Sequence, residues 1–127
     1  WQMDYLMLKG CMPNVYMEMY RHADIGVIPL EHGTWHAGKS NLKLLECASK
    51  KIPAIVSHVQ PYIRDKDAPV LWVKNQKEWY KHLKTLIHDK EKREAYGEEL
   101  YGWASRKFNL IDINKRRREI FERLIKA

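Results

Sequence analysis

The sequence lacks several features that would point directly to a class of function. No Gly-x-Gly-x-x-Gly motif occurs in its 127 residues, so a dinucleotide site of the common type is not indicated. No apolar run approaches the roughly 18 residues that a membrane-spanning helix requires, so no span is predicted. Internal repeats, low-complexity segments and flexible linkers are also absent. A chain of this length and composition is expected to form a single domain.

Cysteine is scarce, and neither cysteine nor histidine follows a metal-binding pattern. The two cysteines, Cys11 and Cys47, both lie in apolar stretches, and the six histidines are not spaced as ligands. Isolated cysteines of this kind are typical of reduced, packed thiols in a cytoplasmic protein. We therefore expect a cytoplasmic protein without disulfides and without a zinc site.

Acidic residues are fewer than basic ones, and the resulting positive net charge favours anionic partners. There are 23 Lys and Arg against 16 Asp and Glu, which gives a net charge of +7. A nucleotide diphosphate, a nucleic acid or an acidic membrane surface would each suit this charge, and composition does not choose among them. One basic run could touch lipid or nucleic acid, although such runs are more often solvated helix faces. It consists of Lys115, Arg116, Arg117 and Arg118.

Hydrophobic periodicity predicts short strands interleaved with helices, followed by a helical tail. Strands are expected at residues 4–9, 25–30, 53–57 and 69–73. Helices are expected at 13–22, at about 40–50, from a cap at Asn75 to about 88, from a cap at Asp89 to about 108, and from Asp112 or Asn114 onward, with one helical turn at 61–64. This alternation predicts an α/β fold with a Rossmann-like parallel sheet. The second and third strands are wholly apolar, as expected for strands covered on both faces.

The stretch 23–57 carries the polar residues that are the best candidates for a site. It reads as strand, polar loop at 31–38, helix and strand, and ligands of parallel sheets bind where strands end and helices begin. Ser40 is the predicted N-cap, and the free N–H groups beside it favour an anion. Lys39 stands next to this point.

One stripe of the predicted helix is charged. At about 100° per residue, it contains Lys39, Lys43, Glu46 and Lys50. A phosphate-bearing ligand with a sugar hydroxyl further along would fit this order of charges. The solvated face of an ordinary amphipathic helix would show the same pattern, so spacing alone leaves both interpretations open.

The same residues resemble a known family. The segment LKLLECASKKIPAIVS is similar to the pattern K-L-L-E-x-x-A-x-G-x-P-V-I-x-S in the donor-binding half of GT-B-fold glycosyltransferases of the group 1 or family-4 type. The form K-S-x-L-K-L-L-E, preceded by A-D-I-G-x-x-P-L and a long loop, resembles a bacterial and phage branch. The flanking segments MPNVYMEMYRHADIGVIPL and PVLWVKNQKEWYKHLKTLIHDKEKREAYGE resemble the neighbouring elements of that domain, so the likeness runs through nearly the whole chain.

The resemblance implies a nucleotide-diphosphate sugar as ligand and assigns the residues that bind it. Glu46 matches the glutamate that contacts the ribose hydroxyls, although it could instead be a surface carboxylate paired with Lys43 or Lys50. Backbone N–H groups of Ser40, Asn41 and Leu42 would hold the diphosphate together with the Lys39 side chain, and Lys43 is a second candidate. The family generally needs no catalytic divalent cation, so no metal or cofactor is expected.

The catalytic residues remain unassigned at this stage. Many retaining members carry a second glutamate eight positions before the one matched by Glu46, and Gly38 stands there. Glu31, His32 and His36 in the loop could replace it, with Glu31 and His36 as the catalytic candidates, but the alignment with the family does not assign them. Retention and inversion are therefore both open. Trp35 could stack on a sugar or base, anchor a lid or simply pack.

The resemblance also implies how the chain is divided. Residues 1–127 would be a single, truncated sugar-nucleotide-binding domain, part of a GT-B C-terminal domain, taken from a longer protein. The acceptor-binding domain would lie outside this sequence, and the chain alone would not transfer sugar. A membrane surface that the protein contacts peripherally is a further expected partner. The alternative is a non-catalytic α/β module for nucleic acid or a protein partner, but no nucleic-acid motif occurs, so nucleic acid is not expected.

Overall fold

The described part of the chain forms a three-stranded parallel sheet with helices around it. The computed structural model describes residue 7, residues 9–12 and residues 15–126. Strands β1 (Gly26–Ile28), β2 (Ala54–Ser57) and β3 (Leu71–Val73) lie in the order β1-β2-β3. The strand predicted at 4–9 falls mostly on residues outside these ranges. The α/β class and the parallel sheet are thus confirmed.

Five α-helices and two 3₁₀ helices complete the described structure. The α-helices are α1 (Thr34–Ala37), α2 (Leu42–Ser49), α3 (Gln76–His88), α4 (Lys90–Lys107) and α5 (Leu110–Lys126). The 3₁₀ helices are Tyr16–His22 and Tyr62–Asp65. The helical turn predicted at 61–64 and the helical tail are confirmed. The helix predicted at 13–22 is instead the first 3₁₀ helix, and the loop predicted at 31–38 contains α1.

The core is built on both faces of β2, whose four residues are all buried. Ala54 and Val56 pack on one side, with α2 and α4, where Leu44 and Leu100 are fully buried. Ile55 packs on the other side with Leu86 of α3. Because neighbouring residues of a strand point to opposite faces, one apolar strand can hold two helical layers together.

The expectation that residues 25–30 are covered on both faces is wrong. Val27 of β1 pairs with Ile55 of β2, and it is 47% exposed. The reason is that β1 is at the edge of the described sheet, while α3 lies over β2 and β3. One face of β1 is therefore open.

Helix caps explain which predicted boundaries hold. Asn75 Oδ1 accepts from the Lys77 N–H at 3.1 Å, and Asp89 Oδ1 accepts from the Lys92 N–H at 2.9 Å, as predicted. The start predicted for the last helix is wrong by a few residues. Asn109 Oδ1 accepts from the Ile111 N–H at 2.9 Å, so Asn109 caps α5, while α4 ends at Lys107.

The chain leaves α2 through a tight contact with α4. Lys51 has a φ of 57°, a left-handed conformation in which glycine carries less strain than other residues. Gly97 of α4 lies directly against it, so that a Cβ at Gly97 would be 2.0 Å from the Lys51 carbonyl oxygen. The packing of α4 on α2 therefore depends on the absence of a side chain at Gly97.

We expect Gly97→Ala to lower the free energy of unfolding by about 1–3 kcal/mol or more, because backbone must move to admit the methyl group. Gly102→Ala in the same helix is the matched control, since its Cβ would meet only the flexible Arg106 side chain at 3.3 Å. The control should stabilise by up to about 1 kcal/mol through helix propensity. Urea unfolding of both variants tests this, and equal effects would contradict the close approach.

Candidate functional site

A cavity of about 590 Å³ lies between β1 and the beginning of α2. Its size is in the range of small-molecule sites. Among the predicted residues, it is lined by Lys39, Ser40, Leu42 and Lys43. Pro29 and Leu30, which follow the carboxyl end of β1, form another part of its wall. We call this space the β1–α2 cavity.

The helix start beside the cavity differs from the prediction. Helix α2 begins at Leu42 with Asn41 at the N-cap, so the expectation that Ser40 caps a helix beginning near residue 40 is wrong. The Asn41 side chain does not cap the helix, because its Nδ2 donates to Asp65 Oδ2 at 2.6 Å. No side chain of the N-cap residue therefore occupies the first-turn N–H groups. Ser40 still lines the cavity, whereas Asn41 does not.

Asp65 fixes this end of α2 and was not identified from the sequence. The carboxylate is buried, and its Oδ1 lies 3.0 Å from Lys107 Nζ of α4. The side chains of Asn41, Asp65 and Lys107 thus join the start of α2 to the end of α4. No sequence signal distinguishes Asp65 from its exposed neighbours Arg64 and Lys66, because its partners are distant in the chain.

The two lysines of the predicted site have different surroundings. Lys39 is exposed and lines the cavity. Lys43 Nζ donates to the Tyr16 hydroxyl and lies 3.0 Å from Glu46 Oε2. The hydrogen bond to Tyr16, followed by the Glu46 carboxylate, raises the pKa of Lys43 above its ordinary value. Lys43 is therefore charged, and its position is fixed by these two partners.

Glu46 is a buried carboxylate, not a surface one. Its Oε2 accepts from the Tyr20 hydroxyl at 2.5 Å and from the Tyr16 hydroxyl at 3.4 Å, and it pairs with Lys43. We call Tyr16, Tyr20, Lys43 and Glu46 the Glu46 clasp. Glu46 does not line the β1–α2 cavity, but Tyr20 and Lys43 do. The alternative pairing with Lys50 is not found, because Lys50 Nζ lies 3.5 Å from Glu18.

Burial and the clasp also set the ionisation of two neighbouring groups. Burial, followed by the hydrogen bond to Glu46, raises the pKa of Tyr20 well above its ordinary value. Burial, together with the Glu46 carboxylate, raises the pKa of the Cys47 thiol to about 11. Both groups are neutral near pH 7, so the charges beside the cavity are those of the lysines and Glu46. The prediction of a packed thiol is confirmed for Cys47 and is wrong for Cys11, which is exposed.

The catalytic candidates in the loop do not reach the β1–α2 cavity. His36 Nδ1 donates to the Glu31 carbonyl oxygen at 2.9 Å, and this bond closes the loop that contains α1. Glu31 lines a second cavity of about 590 Å³ at the carboxyl ends of β2 and β3, with His32, His58 and Asn75. Trp35 is 82% exposed and so does not serve as packing. Glu31 and His36 therefore do not line the cavity that Lys39 and Lys43 line, although the Lys39 N–H donates to the His36 carbonyl oxygen at 3.1 Å.

Tyr16 and Tyr20 are the other site residues that sequence reasoning missed. Their spacing of four residues indicates only that both lie on one face of a helix. The two rings do touch edge to face, with centroids 6.0 Å apart. However, their hydroxyl groups point to Glu46, which follows 26 residues after Tyr20. The spacing of the two tyrosines indicates that they share a face, but it does not indicate that both bind Glu46.

Comparisons with known proteins assign neither a family nor a function to this site. Comparison with protein-family models, curated proteins and solved structures found no match. Over residues 15–126 and the short described stretches before them, no group of three or more side chains is arranged to hold a metal ion. No helix in that part of the chain is long and apolar enough to cross a membrane.

We expect Tyr20→Phe to lower the free energy of unfolding by about 1.5–3 kcal/mol, because it removes a hydrogen bond to a buried carboxylate. The matched control is Tyr80→Phe, since Tyr80 is 71% exposed. The control should change stability by less than about 0.5 kcal/mol. Urea titration measures both variants, and equal losses would show that the hydroxyl of Tyr20 does not stabilise the fold.

Stability is expected to fall as pH rises from about 9 to about 11, the interval between the ordinary and the raised pKa of Cys47. The unfolded chain releases the thiol proton first, so stability that is present below this interval is lost across it. Cys47→Ala should flatten this part of the curve by up to about 1.4 kcal/mol per pH unit. Cys11→Ala is the control, and a slope unchanged by Cys47→Ala would contradict the assignment.

Proposed function

We propose that this chain is the donor-binding part of a GT-B-fold glycosyltransferase and binds a nucleotide-diphosphate sugar in the β1–α2 cavity. The observation that carries the proposal is that Lys39, Ser40 and Lys43 all line this cavity beside the first turn of α2. Two ammonium groups and a helix N-terminus together suit a diphosphate. The parallel sheet with helices on both faces is in keeping with a Rossmann-like domain of that family.

A backbone feature supports the same proposal. In the family pattern quoted above, glycine follows the ribose-binding glutamate by five positions, and Lys51 occupies that place after Glu46. Lys51 has the left-handed φ of 57° for which glycine is favoured. The chain thus turns where the family pattern requires a turn, although the glycine itself is absent.

The proposed chemistry needs little from this chain beyond positioning and charge. Glycosyl transfer breaks the bond between the anomeric carbon and a diphosphate oxygen, and the electron pair of that bond stays on the oxygen. Lys39 and Lys43 would stabilise the charge that develops there. An acceptor hydroxyl, held by another domain, would attack the anomeric carbon and lose its proton to a base that remains unassigned.

The role of Glu46 is more constrained than the sequence implied. Three groups already contact its Oε2, so a ribose would bind Oε1 or would replace the Tyr20 hydroxyl on Oε2. Tyr20 lines the cavity and bonds Glu46, which makes it the group that a ligand hydroxyl can exchange with. Glu46 also holds Lys43 in place, so its loss would weaken diphosphate binding even without ribose contact.

A calorimetric titration with nucleoside diphosphates and their sugars tests the proposal. We expect saturable binding of one nucleotide, and Lys39→Ala should weaken it about 10- to 100-fold by removing a charge-assisted contact. Lys39 is preferable to Lys43 for this test because Lys43 also belongs to the Glu46 clasp. Lys81→Ala, which removes an exposed charge from α3, is the matched control and should leave the affinity unchanged.

Two results would contradict the proposal. Absence of binding at millimolar ligand would show that this chain does not form a donor site. Tight binding of a single-stranded oligonucleotide, with a steep salt dependence and no effect of Lys39→Ala, would favour the alternative of a nucleic-acid-binding module.

A further inference from the structure

Helix α5 presents an apolar face that the rest of the described chain does not cover. None of its 17 residues is buried. Phe121 is 63% exposed, Leu124 is 68% exposed and Ile125 is 84% exposed. An uncovered row of large apolar side chains on one element indicates a surface that another body covers.

The helix is amphipathic, and six of its seven large apolar side chains form one stripe, from which Ile111 is excluded. At about 100° per residue, six residues fall within less than half of the circumference. They are Leu110, Ile113, Ile120, Phe121, Leu124 and Ile125. A stripe of this width on a helix of low overall hydropathy is typical of helices that lie in a bilayer surface.

The basic and acidic residues of α5 are distributed unevenly around the helix, and this distribution indicates which kind of surface it binds. The same helical spacing places Arg117 in the middle of the apolar stripe, and Arg116 and Arg118 on its two margins. The acidic residues Asp112, Glu119 and Glu122 lie on the opposite side, together with Lys115, Arg123 and Lys126. That opposite side is neutral overall, so the net charge of +3 on α5 comes from the arginine within the apolar stripe and the two arginines beside it.

Arg118 is the one member of this trio with a carboxylate partner. Its Nε lies 2.7 Å from Glu122, but both side chains are at least half exposed, so this ion pair contributes little. Arg117 Nη1 donates only to the Asn114 side chain, at 3.4 Å. The guanidinium groups are therefore available to an anionic surface.

We propose that α5 lies in the surface of a membrane with anionic headgroups. Phe121, Leu124 and Ile125 would enter the boundary between headgroups and acyl chains. Arg117 would reach up along its apolar stem to a phosphate, as long basic side chains do at such boundaries. In an apolar protein groove, an arginine in the centre of the stripe would be buried without a partner for its charge, whereas at a membrane surface its side chain can extend to the phosphate layer.

Co-sedimentation of the full chain with vesicles tests this proposal. We expect binding to vesicles of phosphatidylcholine with phosphatidylglycerol, and at least about tenfold weaker binding to phosphatidylcholine alone. The triple variant Arg116→Gln, Arg117→Gln, Arg118→Gln should lower partitioning about a hundredfold, at roughly fivefold for each charge. Phe121→Ser with Leu124→Ser should abolish binding even though no charge is removed.

The control removes the same number of charges elsewhere. Lys77, Lys81 and Lys84 are exposed on α3, and changing all three to Gln should alter partitioning by less than about threefold. An equal loss in this control would overturn the proposal, because binding would then follow net charge alone. Failure to bind anionic vesicles would also overturn it. So would self-association that Phe121→Ser with Leu124→Ser removes, since a second copy would then cover the stripe.

Discussion

The burial of β2 on both faces is the constraint on which the rest of the structure depends. Ala54 and Val56 require a helical layer on one side, and Ile55 requires a layer on the other. Helices α2 and α4 supply the first layer, and α3 supplies the second. At its carboxyl end, the Ser57 hydroxyl accepts from the Leu30 N–H at 2.8 Å, which ties the end of β1 to β2. The walls of the β1–α2 cavity are therefore anchored to the most buried strand.

Side-chain hydrogen bonds hold α2 in place beside the cavity. Asp65 fixes the beginning of α2 through Asn41, and the Glu46 clasp fixes the middle of α2 through two tyrosines. With α2 held in this way, the exposed side chains of Lys39 and Lys43 border the open space. Positive charge is thus held on a fixed frame, which is the arrangement that reduces the cost of binding an anion.

Local patterns predicted the elements, and distant side-chain partners decided the site. The strands at 53–57 and 69–73 and the caps at Asn75 and Asp89 were predictable, because apolar runs and cap residues act over a few positions. The cap predicted at Ser40 was wrong, because α2 begins at Leu42 with Asn41 at the N-cap, and Asn41 bonds Asp65, 24 residues away. Tyr20 and Glu46 are likewise 26 residues apart. The exposure of β1 depends on which strand each helix covers, and a single sequence does not contain that information directly.

The isolation of α5 has a consequence for how the molecule opens. A 17-residue helix with no buried side chain gains little from the core, and helices of about this length are marginal on their own. The Asn109 cap is then one of its few sources of order. Its amide groups can exchange with solvent through local fraying, while those of β2 become accessible only when both helical layers separate. A partner that binds α5 would therefore bind a helix that frays locally, and its binding would not require the sheet to change conformation.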